Sequence, residues 1–213
     1  MSNLGLTMAR ENSHQMRQLI AQQAARMMAE EGISDYAYAK KKAGKQLGAT
    51  DASHLPTNSE IAEEVKIYQE LFFGDEQPEQ LKVLRKDALV TMQMLEKFNP
   101  HLTGAVLDGS AGRYADTHLH LFADSLKEVE MFLLNKKIHF ETNEKSYRVM
   151  NDGKRDKKGS NRKTVPVFIL EGPNGLIKLS VFEFDDMRVA TKHAVDGANA
   201  EKLNIAGLVA LLT

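Results

Sequence analysis

Residues 104–134, GAVLDGSAGRYADTHLHLFADSLKEVEMFLL, set four pieces in a row. Ala105-Val106-Leu107 is a short apolar run between glycines, expected as a buried strand, and Gly109-Ser110 follows as a turn. His118-Leu119-His120-Leu121-Phe122 alternates polar and apolar, the period of a half-buried strand. Ser125, with Glu128 three residues on, has the spacing of a capping box and opens a helix through Val129, Phe132 and Leu133 that stops near Lys137. Strand, turn, strand and helix in this order predict a mixed sheet with flanking helices.

Before this stretch the period is helical. Met16, Ile20, Ala24 and Met27 make one apolar face of a helix over residues 12–31, stopped by Gly32. A second helix is expected from the cap Ser34, burying Tyr36, Ala39, Ala43 and Leu47 and ending at Gly48, with Lys40, Lys41, Lys42 and Lys45 on its solvated side. Thr57 and Glu60 form a capping box before Ile61, Val65, Tyr68 and Phe72, and Gly74 ends that helix. Pro78 suits the first turn of a fourth, whose stripe of Leu81, Leu84, Ala88, Met92 and Leu95 runs to Asn99-Pro100. The period changes there, so the fold class expected is α+β: a helical bundle over residues 1–99, then a small mixed sheet with flanking helices over 100–213.

After the central stretch, residues 138–141 and 146–150 are expected as strands paired around Asn143-Glu144. Residues 151–163, NDGKRDKKGSNRK, hold six Lys or Arg against two Asp and no apolar side chain, and are expected as a loop. Residues 165–171 and 176–185 flank Asn174-Gly175, a tight-hairpin signal. Residues 200–212 are expected as a last helix with Leu203, Ala206 and Ala210 inward.

Composition narrows the function classes. The 28 Lys+Arg against 29 Asp+Glu give a net charge of −1, so no global field steers the chain onto nucleic acid or an acidic membrane. With no Cys there is no disulfide, thiolate metal site or cysteine nucleophile, and any metal would need His, Asp or Glu. No run approaches the roughly 20 apolar residues of a membrane span, and a cytoplasmic protein is expected.

The order of Gly109-Ser110, the alternating strand through His118 and His120, and a later strand bearing Lys178, Ser180 and Glu183 resembles the core of the nucleotidyltransferase superfamily, the polymerase-beta-like fold. The resemblance covers roughly residues 80–185. In that family the Gly-Ser pair lets backbone approach nucleotide phosphates, and an acid-apolar-acid strand with a third acid holds Mg²⁺. Here the acid pair is replaced by His118 and His120, seven residues separate Ser110 from His118, and only Glu183 remains as an acid on the later strand. The resemblance therefore implies a degenerate bacterial member, a nucleotide- or partner-binding module without efficient transfer. Its binding residues would be Gly109, Ser110, His118, His120 and Glu183, with Mg²⁺ needed only if transfer is retained, a nucleotide or a protein as partner, and the oligomeric state open.

Two other likenesses compete. Asp116-Thr117-His118-Leu119-His120-Leu121 is similar to the metal-ligating strand of amidohydrolase and TatD-type hydrolases, in which His118 and His120 would bind metal, with His139 and Glu141 as further candidates. That barrel needs about 250 residues, and 92 follow Leu121. The first two helices resemble a Tet-repressor-type helix-turn-helix, a family that is helical throughout, whereas the second half here has the strand period. Gly104 and Gly109 lack the Lys of a phosphate loop, and Ser110 lacks the flanking glycines of a nucleophile elbow. Asp108 reads as a turn residue, and Arg113, Lys154 and Arg155 as solvated charges.

Overall fold

The computed structural model describes residues 3–33, 35–49, 54–74, 77–149, 162–188, 191–192 and 199–213. Its described residues are α+β: helices α1 (Asn3–Glu31), α2 (Tyr36–Gln46), α3 (Asn58–Phe73) and α4 (Gln77–Met94) precede a mixed six-stranded sheet. Strand β1 (His101–Thr103) is followed by α5 (Ala105–Asp108), β2 (Thr117–Ala123) and α6 (Leu126–Asn135). Then come β3 (Glu141–Arg148), β4 (Arg162–Gly172), β5 (Gly175–Glu183), β6 (Lys202–Leu203) and α7 (Ile205–Leu212). No helix among the described residues is long and apolar enough to cross a membrane.

The chain divides into two compact units, the first running to Gln77 with Gly112–Tyr114, the second beginning at Pro78. In the first, α1 contributes Ile20, Ala24 and Met27 to a core shared with Ala39 and Ala43 of α2 and Ile61 of α3. Gly32 and Gly48 have φ of 69° and 72°, so each turns the chain out of its helix at no Cβ cost. Thr57 and Glu60 form the reciprocal capping box of α3, and Arg17 of α1 grips Glu60 through Nε and Nη2 at 2.9 and 2.8 Å. Asp35 caps α2 by accepting from the Tyr38 amide at 2.9 Å, while Ser34 lies outside the described residues. Phe72 and Leu47 are not core residues: they are 59% and 36% exposed. Leu47 is the cap residue after α2, and Phe72 stands in the last turn of α3 with its ring 4.5 Å from that of Tyr68.

In the second unit the strand order is β3-β4-β5-β2-β1-β6, with β2 parallel to β5 and every other neighbour antiparallel. Residues paired in register share a face, so Leu102, Leu119, Leu121, Leu179, Val181, Phe168 and Leu170 point one way. That face is covered by Leu84, Ala88 and Met92 of α4, Leu95 just after it, Val106 of α5, Val129 and Leu133 of α6 and Leu208 of α7. The stripe of α4 thus belongs to the sheet's core. The opposite face carries a smaller cluster of Phe122, Val165 and Phe182, with Tyr147 and Met187 against it.

Four local expectations are corrected. Ala105–Leu107 is a helical turn, not a strand: Leu107 and Asp108 donate to the Gly104 carbonyl at 2.9 and 3.0 Å, and Arg85 donates to the carbonyls of Val106 and Leu107 at 3.0 and 2.9 Å. The first strand is instead His101–Thr103. No turn breaks β3 at Asn143-Glu144, because all eight of its residues pair with β4, from Glu141 against Ile169 to Arg148 against Arg162. The expected loop lies outside the described residues through 161, and its last two residues, Arg162 and Lys163, begin β4. Helix α7 starts only at the cap Asn204, which shifts its phase: Leu208 faces inward, whereas Ala206 and Ala210 are exposed. At α6, Ser125 caps by accepting from the Lys127 amide at 3.2 Å, and Glu128 bonds through its backbone to the Ser125 carbonyl.

Candidate functional site: the histidine face of the sheet

Strand β2 is buried on both sides, and on the face away from α4, α5, α6 and α7 it presents His118, His120 and Phe122. Register fixes their neighbours. His118 lies between Thr103 of β1 and Lys178 of β5, and His120 between His101 and Ser180. The edge strand β3 then leans inward, since Tyr147 reaches past its backbone partner Lys163 to hydrogen-bond Ser180 at 2.7 Å. The Tyr147 ring meets the His120 ring edge-on at 5.1 Å, and Phe182 lies 4.7 Å from His120 on another side.

His120 is 2% exposed. Its Nε2, and Nδ1 of His118, are sealed from solvent and have no hydrogen-bond partner among the described residues. Burial pushes both imidazoles down to about 3; Lys145 and Lys178 add to the effect at His118, and Lys145, His118, Lys202 and His101 at His120. Both rings are therefore neutral at physiological pH. Tyr147 is pushed up to about 12 by burial, so it keeps its proton and can share it with Ser180.

Four lysines complete the face, and Lys163 pairs with Asp186 at 2.5 Å. Lys178 pairs with Asp116 at 2.5 Å. Lys202 donates to the Met187 carbonyl. Lys145 projects from the exposed edge strand with its ammonium 5.1 Å from the Tyr147 ring centroid, and no carboxylate among the described residues pairs with it. Burial and the neighbouring Lys178 lower the affinity of Lys145 for its proton. Beside His120, bounded also by Phe122, Phe182, Lys163, Asp186 and Lys202, is a cavity of about 10 Å³, room for one water at most.

The other residues expected at the site lie elsewhere. Ser110 bonds Asp108 twice, through its amide at 2.8 Å and its hydroxyl at 2.5 Å, an Asx-type turn. Gly109 ends α5 at φ 86°, with space toward Leu81 and Arg85 of α4. Glu183 is opposite Ala123 at the end of β5, its side chain 78% exposed and 3.6 Å from Lys163. Lys154 and Arg155 lie outside the described residues. His139 and Glu141 do not complete a metal site: no three of His, Asp or Glu gather as a ligand group among the described residues. Glu141 is in the same cross-strand row as His118 but three strands away, about 14 Å at the usual spacing.

His101, Lys145, Tyr147 and Lys202 were not legible as site residues. For His101 a signal existed, since His101-Leu102-Thr103 already alternates polar, apolar, polar before Gly104. Comparison of the chain with protein-family models, curated proteins and solved structures finds no match.

Proposed function

We propose that the face of the sheet away from helices α4 to α7 binds a nucleotide or another phosphate-bearing ligand and holds it without transferring it. The observation that carries the reading is the set of lysines on this face: Lys163 and Lys178 pair with Asp186 and Asp116, while Lys145 and Lys202 make no ion pair with a carboxylate among the described residues. Ammonium groups make charge-assisted hydrogen bonds to phosphate oxygens. The likeness to the nucleotidyltransferase core supports the same face, because in that resemblance His118 and His120 of β2 stand at the positions of the metal-holding acids.

The residues present do not fit the Mg²⁺ of that superfamily. Hard Mg²⁺ takes carboxylate and phosphate oxygens. Its two positions on β2 are imidazoles, Asp116 is engaged by Lys178, and Glu183 turns out toward Lys163. A thermal-shift screen of nucleoside mono-, di- and triphosphates tests the reading. Binding to the native state raises the melting temperature, and the rise should grow with phosphate number. No rise with any nucleotide would contradict it.

A further inference from the structure

We propose that Asn174 is a site of spontaneous deamidation, and that the carboxylate formed there detaches the turn between β4 and β5 from α4. Asn174-Gly175 is the one Asn-Gly dipeptide in the chain, and both residues are exposed in the turn that closes on the pair Gly172 and Gly175. The reaction needs water and no other co-reactant. The Gly175 backbone nitrogen attacks the side-chain carbonyl carbon of Asn174, its proton passes to the departing nitrogen, and loss of ammonia leaves a five-membered succinimide. Water then opens the ring to aspartate, or to isoaspartate with one extra carbon in the backbone. Glycine favours the attack because no Cβ screens its nitrogen, and an exposed turn needs only local opening to reach the geometry. Asn12 and Asn58, each followed by serine, are held in helices α1 and α3 instead.

The consequence is electrostatic. Asn174 donates through Nδ2 to Oδ2 of Asp87 on α4 at 2.7 Å, and no cation pairs with Asp87 among the described residues. A carboxylate at position 174 turns that bond into a contact between like charges. The turn leads into β5, whose Lys178 and Ser180 belong to the histidine face, so the change loosens the start of a strand that carries the site.

The test incubates the full chain in mildly alkaline buffer at body temperature and follows it by peptide mass spectrometry. The mass gain of amide-to-acid conversion should appear at Asn174 before any other asparagine, and Asn174→Gln, whose longer side chain disfavours the five-membered ring, should remove it. Asn174→Asp, which makes the aspartate product directly, should lower the melting temperature by a few degrees. Adding Asp87→Asn should restore it, because the amide then donates from position 87 to the carboxylate at 174. No mass gain at Asn174 over days, an earlier gain at another asparagine, or a melting temperature that Asn174→Asp leaves unchanged would each overturn the proposal. An equal loss with and without Asp87→Asn would overturn it as well.

Discussion

A buried imidazole without a partner is a cost to the fold, and His120 carries that cost amid Tyr147 and Phe182. Replacing an unsatisfied polar group by an apolar one of similar shape removes its desolvation penalty, about 1–3 kcal/mol. His120→Phe should therefore leave stability unchanged or raise it, measured by urea unfolding. A clear loss of stability would mean that the ring has a structural partner. The same burial sets an acid limit. Both imidazoles bind protons near 6.5 in the unfolded chain and near 3 in the native one, so between those values the unfolded state holds more protons. Their contribution is intact above about pH 6.5 and is lost as pH falls toward 3. His120→Phe should flatten that upper part of the acid unfolding curve. Gly104, which packs beside His118, has φ 74° and ψ −156°, a region open essentially to glycine alone. An added Cβ would meet His118 only at 3.7 Å, an ordinary contact, so Gly104→Ala should cost about 1–3 kcal/mol through the backbone.

At the scale of the element, what the sequence revealed was what local chemistry decides. The box of Thr57 and Glu60 is written in residues three apart and forms as expected. Arg17, 43 residues away, then holds Glu60 so firmly that its carboxyl falls to about 2, helped by Thr57. Glu60→Ala should destabilise the helical unit by about 1 kcal/mol, with solvent screening limiting the ion-pair share. Elements decided by partners were not legible. Strand β3, Glu-Thr-Asn-Glu-Lys-Ser-Tyr-Arg, has no apolar alternation, and only the backbone of β4 makes it continuous. The run Ala105–Leu107 has strand-like composition, yet Gly104 and Arg85 wind it into a turn. Helix α4 was visible as a stripe, but its address was not, since an apolar face does not say which neighbour it packs on. Because Met92 and Leu84 pack in the sheet's core, Met92→Ala should cost about 2–5 kcal/mol in the second unit. Hydrogen exchange in β2 and β5 should accelerate with it, while exchange in α1 is unchanged. The reverse pattern would place α4 with the helices.

For the molecule as a whole, the hydrophobic period changes after Pro100, whereas the compact units divide between Gln77 and Pro78. The shift arises because a sheet with one apolar face must recruit a helix to cover it, and α4 does so together with α5, α6 and α7. Helices α4 to α7 cover one face, and on the other the histidines, the lysines and Tyr147 converge, with Met187 packed against Phe122, Val165 and Phe182 among the described residues. Charge balance over the whole chain, −1, conceals this local excess of cations. The central claim is binding without transfer, and equilibrium dialysis of the protein against radiolabelled ATP, followed by separation of the recovered nucleotide, tests it most directly. The account predicts label retained at the protein and recovered as intact ATP, with retention lowered by Lys145→Gln. No retention, or pyrophosphate release that Glu183→Gln abolishes, would contradict it.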